Sequence, residues 1–207
     1  MLFFTMIITK RGVVDTDMKK VVLFDFFGVI GHELSPVWFR RHFADEVADS
    51  VKYRLVDPGD LGQISEDEMF ANISAETGVA AEQIRREWMD MVSINEKLVE
   101  FIKNARKSYP VYLLSNALSG FLREILDKNS LWELFDGVFI SAELHLAKPD
   151  PEFFRECLKK IGVPAAEAVM IDDNAKNLEG ARSVGIDTIL FRDNESFEKE
   201  FRKYYSV

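Results

Sequence analysis

The sequence predicts a doubly wound α/β domain: a parallel, Rossmann-like sheet of about five strands, with a small α-helical cap inserted after the first strand. Three observations carry that reading. Short apolar runs recur along the chain and close on polar residues, amphipathic helical patterns separate them, and one interval is too long for an ordinary crossover. The runs are Val21–Phe24, Val111–Leu114, Gly137–Ile140, Ala168–Ile171 and Thr188–Phe191. Unbroken apolar strands of this length suit a parallel sheet covered on both faces, with helices as the crossovers.

The helices carry their own punctuation. Asp150-Pro151-Glu152 supplies a cap, a first-turn proline and an acidic first turn, and Lys159-Lys160 followed by Gly162 closes that helix. Asn174 caps a helix through Leu178 and Ala181 that ends at Gly185. Between the first two strands, Ser35-Pro36 opens a helix expected to reach Val47. Ser65 and Glu68 form a capping box for another helix that Gly78 ends, and two more are expected over 80–92 and 95–107. The expected division is therefore an extension over 1–17, a core over 18–31 and 108–207, and a helical cap over 32–107.

Composition narrows the class. The 207 residues hold 26 Lys and Arg against 35 Asp and Glu, a net charge of −9, which argues against duplex nucleic acid or anionic lipid as a partner. A hydrophobic content of 47% describes an ordinary globular chain. No run approaches the ~18 apolar residues of a membrane span. The single cysteine, Cys157, excludes an internal disulfide and fits a reducing, cytoplasmic setting. A monomer or homodimer acting on a small molecule is expected.

In an open parallel sheet, ligands bind where the carboxyl ends of the strands meet solvent. Those ends carry Asp25, then Ser115 and Asn116, then Lys148 just ahead of a helix, then Asp172 and Asp173. Three carboxylates drawn together repel and raise at least one pKa unless a cation neutralises them. Oxygen ligands of this kind suit Mg²⁺, which binds through one or two carboxylates plus a substrate phosphate. Lys148 offers positive charge to the other phosphate oxygens, Ser115 a further donor, and Asp25 a carboxylate that can attack phosphorus.

The segments Phe24-Asp25-Phe26-Phe27-Gly28-Val29-Ile30, Leu114-Ser115-Asn116, Lys148-Pro149-Asp150-Pro151 and Ile171-Asp172-Asp173-Asn174-Ala175-Lys176-Asn177 resemble the four motifs of the haloacid dehalogenase (HAD) superfamily, subfamily IA. Each is weak alone, but their order and spacing over residues 20 to 195 are specific. The later half is most similar to the subgroup that includes bacterial glucose-1-phosphate phosphatase. The resemblance implies Asp25 as nucleophile and metal ligand, the Phe27 backbone carbonyl as a second ligand, and Asp173 as a third. Asp172 would be a ligand itself or be held behind one. Ser115 and Asn116 would hold the phosphate and Lys148 would neutralise it. Asn177 stands where many relatives have a further Asp.

One departure matters. Most phosphatases of the superfamily place an acid/base Asp two residues after the nucleophile, where this chain has Phe27. Such a group contributes ~10²–10⁴ in rate, or about 3–5 kcal/mol. Its loss is least harmful for an activated leaving group such as an anomeric sugar oxygen. His32 and Glu33, on the loop beyond the first strand, are substitute acid/base candidates. Two other readings stay open: a metal-independent 2-haloacid dehalogenase, which also has an aromatic at that position, and a non-catalytic HAD-like binding protein. The first is opposed by Asp172 and Asp173, since those dehalogenases carry uncharged polar residues there. His42, His145 and Cys157 are read as structural.

Overall fold

The computed structural model describes residues 8–9, 12–13 and 20–205. Of the expected extension over 1–17, a two-residue antiparallel pair, Ile8–Thr9 with Gly12–Val13, falls within them, and the remainder lies outside the described residues.

Among the described residues, five strands form one parallel sheet: β1 (Val21–Phe24), β2 (Val111–Ser115), β3 (Gly137–Ile140), β4 (Ala168–Asp172) and β5 (Asp187–Leu190), in the order β3-β2-β1-β4-β5. The first strand in sequence is central, with Phe24 level with Leu113 on one side and Ile171 on the other. Alternation along β1 buries both faces. Val22 and Phe24 face one core layer, and Val21 and Leu23 face the other. The last strand starts one residue earlier than the apolar run, because Asp187 pairs with Val169.

Five helices follow β1: α1 (Ser35–His42), α2 (Asp45–Asp60), α3 (Glu66–Thr77), α4 (Ala81–Asp90) and α5 (Glu96–Ala105). The helix expected over 35–47 divides, because extended backbone at Phe43 (φ −131°, ψ 152°) ends α1 before α2 begins. The Ser65–Glu68 capping box forms as expected, and Gly78 closes α3 in the left-handed conformation. Trp38, Phe70 and Trp88 pack the interior of the first four helices, Trp88 lying edge-on to Phe70 at 5.3 Å. The fifth helix belongs elsewhere. Phe101 on α5 sits 5.1 Å from both Phe197 and Phe201 of α10 (Asn194–Phe201), and Phe197 in turn meets Phe24 of β1 at 5.8 Å. That packs α5 on α10, which in turn meets the sheet through Phe197.

The remaining helices are α6 (Ser119–Lys128), α7 (Ser141–Leu144), α8 (Pro151–Ile161) and α9 (Ala175–Ser183). Asp150 and Asn174 cap α8 and α9 through their side chains, as the sequence indicates. Phe153, Phe154, Leu178 and Ala181 cover the second face of the sheet.

Candidate active site

The strand order brings the acidic strand ends together. Asp25 follows central β1 and donates its backbone N–H to the Ile171 carbonyl at 2.9 Å, which sets it beside the end of β4. Carboxylate oxygens of Asp25, Asp172 and Asp173 lie within 4.8 Å of one another. Lys148 reaches between them, its Nζ 2.8 Å from Asp25 Oδ1 and 2.7 Å from Asp172 Oδ2, with the Lys148 side chain fully buried.

Each side chain is held from behind. Phe26 donates its backbone N–H to Asp25 Oδ1 at 2.6 Å. Asp172 Oδ1 accepts from the Asn174 backbone N–H at 2.8 Å, and Asn177 Nδ2 donates to both Asp172 oxygens at 3.1 Å. Asp172 is thus fully buried and occupied by Lys148 and Asn177, whereas Asp173 is partly exposed and faces the turn after β1. Gly28 makes room for it: a Cβ there would lie 2.1 Å from Asp173 Oδ2. The Lys148 segment is seated in the same way, since a Cβ on Gly180 of α9 would lie 2.1 Å from the Pro149 carbonyl oxygen.

The electrostatics follow from burial. Asp25 is pushed well above the usual carboxylate range, first by desolvation and then by Asp172, with Lys148 opposing. Burial and then Asp172 raise Asp173 as well. For Lys148, burial acts downward, but Asp172 and Asp25 together outweigh it and the pKa rises. Three acids and one ammonium leave negative charge uncompensated, and a divalent cation bound by oxygen would compensate it. The donor set fits Mg²⁺: carboxylates on Asp25 and Asp173, with the Phe27 carbonyl on the adjoining turn.

Ser115 Oγ, at the end of β2, is buried and has no hydrogen-bond partner among the described residues. A buried hydroxyl in that state is costly unless a ligand meets it. Asn116 is different. Its side-chain amide donates to the Lys148 carbonyl at 2.7 Å and accepts from the Lys148 N–H at 2.9 Å, so it clamps the lysine's backbone with one of its two amide hydrogens while lining the cavity over Asp25.

A cavity of about 890 Å³ opens over Asp25 and Lys148, closed on its other side by residues of the loop before α1 and of α2 and α4. The two substitute acid/base candidates part company here. Glu33 lines this cavity, and burial and then Asp173 raise its pKa. His32 lines a separate cleft with Asn95 and Arg192, its backbone N–H bound to the Ser93 carbonyl. The Phe27 ring borders the cavity and packs edge-on to Phe26 at 5.0 Å, offering no proton where relatives have an acid.

Sequence reasoning missed Lys52, Asp57 and Asp60, which α2 brings to the cavity. A signal was present. Asp57 and Asp60 stand in the last turn of a helix, where the macrodipole disfavours acids and no basic residue offsets them. A broken local rule of this kind marks candidate functional sites.

Comparison with known proteins identifies the family. Residues 19–185 match the family model described as haloacid dehalogenase-like hydrolase. The chain is 28% identical over 151 residues to drimenol cyclase drtB of Aspergillus calidoustus, covering 70% of this chain but only 29% of that protein. It is 24% identical over 199 residues to D-ribitol-5-phosphate phosphatase of Bacteroides thetaiotaomicron, covering 88% of this chain and 97% of the relative. Among solved structures, HAD family enzyme bt-2542 of Bacteroides thetaiotaomicron, in complex with magnesium and inorganic phosphate, superposes with a TM-score of 0.75 at 25% identity, over 89% of this chain and all of that one. The chain belongs to the haloacid dehalogenase-like hydrolase family.

Proposed function

We propose that this protein is a Mg²⁺-dependent phosphatase that hydrolyses a small phosphorylated metabolite, a sugar phosphate being one such substrate, through an aspartyl-phosphate on Asp25. The observation that carries the reading is the cluster itself: three carboxylates within 4.8 Å around one buried lysine, beside a buried hydroxyl without a partner. The bound cation would supply charge neutralisation of phosphate and carboxylates together.

The protein's own groups do the rest. Lys148, held by Asp172 and clamped through its backbone by Asn116, presents its ammonium to the phosphate oxygens. Ser115 donates its free hydroxyl. Asp25, fixed by the Phe26 N–H, presents the other oxygen for in-line attack. Asp25, Asp173 and the Phe27 carbonyl would hold the cation, and Asp172 acts by orienting Lys148. The cap comprises residues 32 to about 94, with α5 counted with the core because of its packing on α10. Its wall over the cavity restricts access to small molecules and excludes water.

The dehalogenase reading draws on Phe27 and on the similarity of part of the chain to a 2-haloacid dehalogenase, 30% identical over 104 residues, but it leaves the Asp173 carboxylate beside Asp25 without a role. The test is phosphate release from a panel of phosphorylated metabolites with Mg²⁺. EDTA should abolish it, and Asp25→Asn should lower it by at least about 10³-fold. Release that survives Asp25→Asn would contradict the assignment. Chloride release from a 2-haloacid in EDTA would favour the dehalogenase, and phosphate binding without turnover the non-catalytic relative.

A further inference from the structure

We propose that Asp60, on the last turn of α2, is the proton carrier of this site, standing in for the acid that Phe27 replaces. The proposal rests on the phosphatase reading above and adds the group that serves the leaving oxygen and the attacking water.

Position is the first argument. Asp60 lines the same cavity as Asp25 and Lys148, but from the cap side. It is also tied to the phosphate end of the sheet. The buried Ser141 hydroxyl accepts from the Ala117 N–H at 3.0 Å, two residues beyond Ser115, and donates to the Asp60 carbonyl. The turn that follows docks on α7: His145 Nδ1 lies 3.2 Å from the Leu61 carbonyl, and Gly62 (φ +65°) abuts the Ala142 carbonyl, which a Cβ would approach to 2.2 Å. The Asp60 backbone is thereby anchored to the end of the sheet that carries Ser115, while the residue lines the cavity above Asp25.

Charge environment is the second. The groups facing Asp60 are Lys52 and Asp57 on its own helix, Glu33 from the loop before α1, and His145 behind the adjoining turn. Burial pushes Asp60 up to about 7, with Lys52 opposing and Asp57 and Glu33 adding to the rise. An acid poised there holds a proton near neutral pH and can also give it up. Glu33 suits the task less well. It faces Asp173, so a cation on Asp173 would favour its ionised form.

The two steps balance. The Asp25 carboxylate bonds to phosphorus as the bond from phosphorus to the organic oxygen breaks, and the Asp60 carboxyl passes its proton to that oxygen, releasing an alcohol. Water then attacks the aspartyl-phosphate and gives a proton to the Asp60 carboxylate. The bond between Asp25 and phosphorus breaks, freeing inorganic phosphate and the Asp25 carboxylate.

The test compares first turnovers of an alkyl phosphate and of p-nitrophenyl phosphate by rapid quench, in full-length protein with Mg²⁺. A p-nitrophenolate leaving group needs no proton. In Asp60→Asn the alkyl ester should lose at least about 100-fold in the first turnover. The p-nitrophenyl ester should instead show a burst, because only the later hydrolysis is slowed. Equal loss for the two esters, or loss for neither, overturns the proposal. The unmodified protein offers a second readout that needs no variant: the alkyl first turnover should fall as pH rises through about 7, with no such limb for the p-nitrophenyl ester. Parallel pH profiles overturn it. Failure of Asp25→Asn to stop either ester would instead refute the phosphatase reading.

Discussion

Gly28 shows how one residue can govern the site without touching a substrate. Its backbone is left-handed (φ +80°), and the space where a Cβ would stand is filled by the Asp173 carboxylate. Gly28→Ala therefore carries a conformational cost of about 1–2 kcal/mol and must also displace the Asp173 carboxylate. A loss of Mg²⁺ affinity of about 10- to 100-fold is expected by titration, together with a lower melting temperature. Unchanged affinity would mean that Asp173 does not hold the ion. At this scale much was legible in advance. Asp25, Lys148, Asp172 and Asp173 stand where a strand ends or a helix begins, so the fold itself converges them. The surroundings of Asn116 and His32 were not legible. One depends on which way an amide turns, toward the Lys148 backbone, and the other on a loop that carries neighbouring side chains into different clefts.

Among the elements, strands and capped helices were readable because each has a local cause. The capping box at Ser65 and Glu68, the Asp150 cap before Pro151 and the left-handed Gly162 form as their chemistry dictates. The break at Phe43 and the allegiance of α5 were not readable. An amphipathic helix shows the same apolar stripe whether it packs in a cap or on a sheet, and only the rings of Phe197 and Phe201 decide where Phe101 goes. The same limit hid Asp60. Nothing local says that the end of α2 folds back over a strand end 35 residues earlier in the chain.

For the whole molecule, the acidic cluster links stability to pH and metal. Without metal, Asp25 and Asp173 bind protons more tightly folded than unfolded, so their raised pKa values lower stability as pH climbs from the ordinary carboxylate range. A divalent ion competes with those protons, and its stabilising effect should grow with pH. At about 100 times its Kd, Mg²⁺ adds about 2.7 kcal/mol, equivalent to a rise in Tm of about 5–10 °C for a chain of this size. That rise is expected at pH 7.5 and should shrink markedly at pH 5, measured by differential scanning calorimetry. An equal shift at the two pH values would place the ion away from these acids.

The covalent role of Asp25 is tested most directly by a crystal structure grown with Mg²⁺ and beryllofluoride, a mimic of a phosphoryl group bonded to carboxylate. Beryllium density continuous with an Asp25 oxygen is predicted, with Ser115 Oγ and Lys148 Nζ against the fluorides and the ion on Asp173. A structure in which Asp25 remains paired with Lys148, and the beryllofluoride is absent or attached elsewhere, would contradict the account.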